Sequence, residues 1–320
     1  METSKKEEGK TLQNKIDFAV IFSVNGANPN GDPLNGNRPR TNYDNLGEVS
    51  DVCIKRKIRN RLMEAGHNIF VQSDDNRKDG DEYRSLRSRA EGELKDITMD
   101  DDKKFRKAAC DKWLDVRAFG QVFAYKAKGN KKNKKAKEEG EQEKGDDTGV
   151  SIGIRGPVSI HSAFSVAPVS GRISSIQITK SVSGEGDGKK KASDTMGMKH
   201  RVDHGIYVTY GAINPQLASK TWFRDPDAEL IHEALKKLFD NDASSARPEG
   251  SMEVVAVIWW QHNVKHGQYS SAEVHRSLDV TLKKEGTDPK KIEEYSIKLK
   301  NLPGLTPEIF NPNNVVIEKI

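Results

Sequence analysis

Between Ile16 and Val24 the chain alternates. Ile16, Phe18, Val20, Phe22 and Val24 fall on one side of an extended segment, with Asp17, Ala19, Ile21 and Ser23 on the other. A period of two over this length predicts a strand with one face on a core. The strand runs directly into Asn25–Arg40, NGANPNGDPLNGNRPR, a stretch so rich in Gly, Asn and Pro that it reads as a loop. The next regular element must therefore start afresh, and its start signal is at Ser50. Ser50 suits an N-cap, Asp51 favours the first turn, and Val49 can staple against Ile54. Ile54, Ile58, Leu62 and Ala65 form the apolar stripe of this helix, and Gly66 stops it.

Further elements follow from the same signals. A helix carries Phe105, Ala108, Ala109 and Trp113 on one side. Strand alternation resumes over Val150–Val169, a shorter strand covers Ile173–Ser181, and another covers Gly205–Ile213. Asp225 as cap and Pro226 at N1 open a helix with the stripe Leu230, Ile231, Ala234, Leu235, Leu238 and Phe239. Glu253–Trp260 is the most apolar strand and is expected at the centre of a sheet. One more helix is expected around Pro289–Lys300. The strongest elements read strand, helix, strand, strand, helix, strand. That order predicts an α+β fold of the ferredoxin-like or RRM-like class.

Two segments carry no core. Lys126–Gly145 holds eight Lys, four Glu and three Gly and reads as a mobile surface loop. Ser181–Lys199 reads as a Gly/Ser/Lys loop. Hydrophobic residues are only 34% of the 320, which fits compact regions interrupted by polar insertions. The longest apolar run, Val254–Trp260, is too short to span a bilayer, and the N-terminus lacks an apolar signal region. Two cysteines, Cys53 and Cys110, give neither a disulfide framework nor zinc spacing. These features predict a cytoplasmic protein with no membrane partner.

The net charge of +5 decides little, but its distribution is informative. Lys55, Arg56, Lys57, Arg59 and Arg61 crowd seven helical positions with no acid among them. Such a cluster repels itself at i,i+4 unless an anion neutralises it, and a phosphate backbone is one such anion. The loop 25–40 ends on Arg38 and Arg40, whose cations, with exposed amides, also suit phosphate. Met196 and Met198, beside Lys199 and Arg201, could wedge between bases. Tyr207–Tyr210 matches only the tail of an RNP1 pattern. The pairs His200/His204 and His262/His266 have helical metal spacing but lie in no clear helix, and no metal or other cofactor is predicted.

Four blocks resemble one family: Gly26–Asn60, Asp115–Phe123 (DVRAFGQVF), Ile154–Val169 (IRGPVSIHSAFSVAPV) and Thr195–Pro215 (TMGMKHRVDHGIYVTYGAINP). The chain resembles the family-seven CRISPR-associated (Cas) backbone subunit of type I Cascade surveillance complexes, in its subtype I-C-like branch. The resemblance implies a hand-shaped fold with an RRM-like palm (15–66, 150–160 and 204–265), a finger insertion (67–149), a thumb β-hairpin (161–203) and a C-terminal extension (266–320). It implies a non-catalytic antiviral role: copies polymerise head to tail along a CRISPR guide RNA and leave its bases free for target DNA. Other Cascade subunits, a guide-end cap and a large subunit, are implied partners. The implied RNA contacts are Asn30, Arg38, Arg40, Lys55, Arg56, Arg59, Arg117, Arg155, His161, Lys180, Lys199 and Arg201, with Met196 and Met198 as the thumb wedge. The alternative is a target-RNA endoribonuclease of the related type III class. It would use Asp32, which follows the first strand.

Overall fold

A computed structural model describes residues 9–74, 77–78, 80–97, 101–125, 150–180 and 195–320. The Lys/Glu insert 126–145 and the segment 181–194 lie outside the described residues. The chain opens with β1 (Ile16–Ala27), the short strands β2 (Gly31–Asp32) and β3 (Arg38–Pro39), β4 (Leu46–Val49) and helix α1 (Asp51–Glu64). Helices α2 (Leu86–Glu93), α3 (Asp102–Lys112) and α4 (Leu114–Phe119) lead to β5 (Gly120–Tyr125) and β6 (Val150–Arg155). Next come β7 (Val158–Ile160), β8 (Ala163–Pro168), β9 (Ile173–Lys180) and the long β10 (Thr195–Ile213). Helices α5 (Pro215–Thr221) and α6 (Asp225–Lys236) precede β11 (Met252–Gln261). The last part holds α7 (Ser271–Arg276), β12 (Leu278–Leu282), β13 (Tyr295–Leu299), β14 (Glu308–Phe310) and β15 (Ile317–Lys319).

The main sheet is antiparallel in the order β14-β11-β1-β10-β8-β4, with β7 and β9 also paired to β10. Its register is set by β1, where Val20 faces Thr209 on one side and Val257 on the other. The period of two in β1 sorts its side chains between two cores. Phe18, Val20, Phe22 and Val24 join Ile54, Ile58 and Leu62 of α1 and Ile231 and Leu235 of α6 in one cluster. Ala19 and Ile21 join Ala256, Ile258 and Trp260 of β11, and these pack against Tyr295, Ile297 and Leu299 of β13. The molecule thus has three layers: helices, main sheet, and a small C-terminal sheet in the order β12-β13-β15. Burial on both faces explains the unbroken apolar run of β11. A third cluster, around Phe70, Phe105, Trp113 and Phe123, joins α2–α4 to the β5–β6 hairpin. Gly120, where this hairpin begins, sits at φ +81°, and a Cβ there would lie 2.2 Å from the Ile154 carbonyl oxygen.

Several expectations need correction. The loop 25–40 contains the β2–β3 arm, in which Asp32 pairs with Arg38. Val150–Val169 is three strands, broken at Gly156-Pro157 and at His161-Ser162. Helix α6 is capped by Arg224, one residue before the expected Asp225. In place of the helix expected over 289–300 there is only a single 3-10 turn, Ile292–Glu294, followed by a strand. Tyr295, Ile297 and Leu299 alternate inward, and a strand buries them where a helix would leave them on separate faces. β10 begins at Thr195, ten residues before the expected Gly205, because β9 supplies a partner along that length. No described helix is long and apolar enough to cross a membrane.

Candidate nucleic-acid interface

Helix α1 starts as its sequence dictates. The Ser50 hydroxyl accepts from the Cys53 amide at 3.3 Å and donates to Asn30 Oδ1 at 2.9 Å. Asn30 Oδ1 also accepts from the Ser50 amide at 3.0 Å, so Asn30 ties the arm to the helix N-terminus. The cation cluster is neutralised largely from within the chain. Lys55 pairs with Asp51 at 2.9 Å, Lys57 with Asp242, Arg59 with Asp115 at 3.0 Å and Arg61 with Glu64 at 2.6 Å. Arg56 donates to the Val71 carbonyl at 2.7 Å. Lys57 and Arg61 are buried, and burial pushes the Lys57 ammonium down against the opposing pull of Asp242. The inference that this helix needs an external anion is therefore overturned for most of its cations. Asp51 and Glu64 belong to the helix itself, while Asp242 and Asp115 come from distant parts of the chain that the local pattern does not contain.

The arm and the β9–β10 hairpin are arranged differently. Strand β3, which carries Arg38, lies against β10. Among the described residues the Arg38 side chain makes no hydrogen bond or ion pair, and neither does that of half-buried Lys199. Arg201 is exposed and only 3.5 Å from Asp203, itself half exposed. Arg40 reaches Asp32 at 3.7 Å. Asp32 accepts from the Leu34 amide at 3.2 Å, so its carboxylate caps the turn of the arm. Met196 and Met198 stand in β10, opposite Thr179 and Gln177 of β9, and are 60% and 55% exposed. The sequence reading placed them in a loop among cations. Instead, strand alternation puts them on the hairpin face opposite to Lys199 and Arg201. Lys180 pairs with Thr195 at the far end of this hairpin.

The remaining candidates lie elsewhere. The His161 amide donates to Tyr210, nine residues beyond Arg201 on β10, roughly 30 Å along a strand. Arg155, exposed at the end of β6, faces Gly120 near that same end. Arg117 makes a two-pronged pair with Asp227 at 2.7 and 3.0 Å, clamping α4 to α6.

Sequence reasoning missed a buried polar knot behind the sheet. Asp17 is fully buried and accepts from Lys15 at 3.0 Å and His262 Nε2 at 2.8 Å. Burial pushes its carboxyl up, but the hydrogen bonds from His262, Ser271 and Lys15 outweigh this and hold it below its ordinary value. His262 Nδ1 accepts from the Gln268 amide at 2.9 Å, which fixes its neutral tautomer. The two histidine pairs thus lie outside helices. Among the described residues no group of three or more His, Cys, Asp or Glu is placed to hold a metal. Tyr207, the start of the partial RNP1 match, is core, stacked on Phe22 at 5.4 Å. Its sheet offers no open face there, because the C-terminal layer covers the side away from the helices.

Comparison with known proteins adds the following. The family model described as CRISPR-associated protein Cas7 matches residues 14–300. A curated protein of Haloferax volcanii, described as CRISPR-associated protein Cas7, is 23% identical over 237 residues, covering 73% of this chain and 67% of that protein. A chain of a solved CRISPR RNA-guided surveillance complex in a pre-nicking state has a TM-score of 0.45 at 13% identity, over 87% of this chain and 83% of that one. A chain of another CRISPR RNA-guided surveillance complex has a TM-score of 0.43 at 13% identity, over 96% of this chain and 94% of that one.

Proposed function

The chain belongs to the CRISPR-associated Cas7 family, and from that premise we propose that it is a non-catalytic backbone subunit holding a CRISPR guide RNA. The observation that carries this reading is the family match across residues 14–300. Under it, the arm and hairpin root present Arg38, Lys199 and Arg201 to guide phosphates. Such contacts position a strand without reading its bases. Bases left free then pair with target DNA, and copies stack head to tail, a heterologous contact that builds a helix rather than a closed dimer.

The proposed palm takes β1, α1, β7, β8, β10, α6 and β11. The strand order β11-β1-β10-β8, with both helices packed on one face, supports an RRM-like reading of it. The fingers take the cluster around Phe123, and the thumb is the β9–β10 hairpin with Met196 and Met198 as its wedge. Subtype I-C, a cytoplasmic location, a guide-end cap and a large subunit remain parts of the same proposal. Capping and ion pairing by Asp32 favour the non-catalytic reading over an Asp32 ribonuclease.

The test is co-expression with a CRISPR array and its processing partner. Purified protein should retain RNA of defined length, with more copies per RNA on longer guides. A fixed one-to-one complex on every length would defeat the reading. Target-RNA cleavage with added Mg²⁺ that disappears in Asp32→Ala would install the ribonuclease instead.

A further inference from the structure

At the foot of α1 lies a cleft of about 410 Å³, lined on one side by Met63, His67 and Asn68 and on the other by Tyr83 and Trp113. Its volume falls within the roughly 300–1,000 Å³ of small-molecule sites. The face of α1 that leads to it is defined by spacing. Arg56, Arg59 and Met63 recur at i, i+3 and i+7, one helical stripe. The same arginines build the wall. Arg56 holds the Val71 carbonyl, and Arg59 holds Asp115, which accepts the Phe70 and Val71 amides at 2.7 and 3.1 Å. Segment 67–72 is thereby strapped beside the helix.

Most charges around the cleft are paired, Glu82 being an exposed carboxylate with no partner among the described residues. Arg89 is held by Asp81 and by the Phe70 carbonyl, and Lys112 by Glu93. Gln72 is closed as well, donating to Ile69 at 2.8 Å and accepting from the Lys78 amide at 3.2 Å. What stays open is a different set. Among the described residues the Asn68 amide nitrogen, the Trp113 indole N–H, the Tyr83 hydroxyl and the His67 ring have no hydrogen-bond partner. Lys78 Nζ stands 3.5 Å from Asn68 Oδ1. The Tyr83 ring is seated by Gly92 of α2, where a Cβ would lie 2.4 Å from Tyr83 Cε1. The cleft therefore offers aromatic surface, neutral donors and one lightly held cation.

That combination fits a flat heterocycle with acceptors on its edge and a phosphate attached. Aromatic stacking plus edge hydrogen bonds is how proteins hold unstacked bases. We propose that this cleft binds a single nucleotide, its base lodged among His67, Tyr83 and Trp113 and its phosphate toward Lys78. Within the guide-binding reading, on which this inference rests, the occupant is one base of the bound guide strand.

The experiment uses the full chain, titrated with AMP, GMP, CMP and UMP and followed by saturation-transfer NMR on the nucleotide. At least one nucleotide should bind at about 1 mM or tighter. Asn68→Ala and Tyr83→Leu should each weaken it about tenfold. Lys319→Ala, exposed in β15 of the C-terminal sheet, should leave it unchanged. Unfolding midpoints of each variant identify any that fail to fold, and Asn68, being exposed, supplies the variant least coupled to folding. Absence of binding by all four nucleotides, or equal binding by wild type and Asn68→Ala, overturns the proposal. Single-stranded RNA binding is measured on the same samples. RNA binding without nucleotide binding removes the cleft alone. Nucleotide binding without RNA binding removes the guide-binding reading and leaves the cleft.

Discussion

Replacing Arg38, Lys199 and Arg201 together by Ala should change how RNA affinity responds to salt while leaving the fold intact. Each phosphate neutralised on a single strand contributes about 0.7 to the log–log slope, so losing three contacts should flatten it by about 2. Between about 50 and 200 mM salt, wild-type affinity should then fall roughly twentyfold more than that of the triple variant. None of the three side chains is buried, so the urea unfolding midpoint should barely move. Arg59→Ala should behave in the opposite way. Its partner Asp115 is 1% exposed and would lose its counter-ion, keeping only the Phe70 and Val71 amides. Removing one member of a buried pair costs about 3–5 kcal/mol, and the two remaining amides put this case near 3. The assay is fluorescence anisotropy of a labelled single-stranded RNA over a KCl series, with urea denaturation in parallel. If Arg59→Ala flattened the slope at unchanged stability while the triple variant kept the wild-type slope, the division between structural and phosphate-facing cations would be wrong.

Gly120→Ala should destabilise by about 3 kcal/mol or more, because positive φ and contact with the Ile154 carbonyl act together; thermal unfolding reads this. Acid should destabilise the fold through His204, His232 and His275, in each of which burial lowers the pKa below 6.5. Their neutral forms favour the folded state, so stability is fully present above pH 6.5 and falls as pH drops toward the lowered folded values. His232→Leu should shallow that decline, since both its ring nitrogens are buried without hydrogen-bond partners against Trp259, Nδ1 standing 3.7 Å from Glu229; urea midpoints at a series of pH values measure it. In an assembled complex, chemical probing should give regular spikes of guide-base reactivity that fade in Met196→Gly/Met198→Gly, and a uniform wild-type pattern would remove the wedge role.

The sequence carried the local decisions well. The alternation of β1, the Ser50 cap and the stop at Gly66 are each written within a few residues and need no distant partner. The segment Lys290–Leu299 misleads because Ile292 and Tyr295 also fit a helical spacing, and only the strands on either side of β13 decide between periods. The first ten residues of β10 combine Gly, Met, Lys and His, a poor strand composition until β9 lies alongside. The site was half legible for the same reason. Five cations on one helix are visible, but Asp115 lies 56 residues from Arg59 and Asp242 lies 185 from Lys57. Asn30 and Arg117 were found by resemblance, while their tasks, holding Ser50 and Asp227, depend on tertiary contacts.

The continuity of β10 has a mechanical consequence. Its 19 residues extend about 60 Å at roughly 3.3 Å each, and this one strand pairs with β9 over Thr195–Val202 and with β1 over Val202–Ile213. The two ladders meet at Val202, so no loop separates the hairpin from the main sheet. To slide it along the body, β10 would have to shear against β1, and a slip of one residue would turn Tyr207 from the helix-side core to the opposite face. The direction in which the hairpin leaves the body is thus set by the twist of the sheet. The last described pair of the hairpin, Lys180 and Thr195, is thus carried on the same strand as the centre of the main sheet, as a scribe is fixed to its frame.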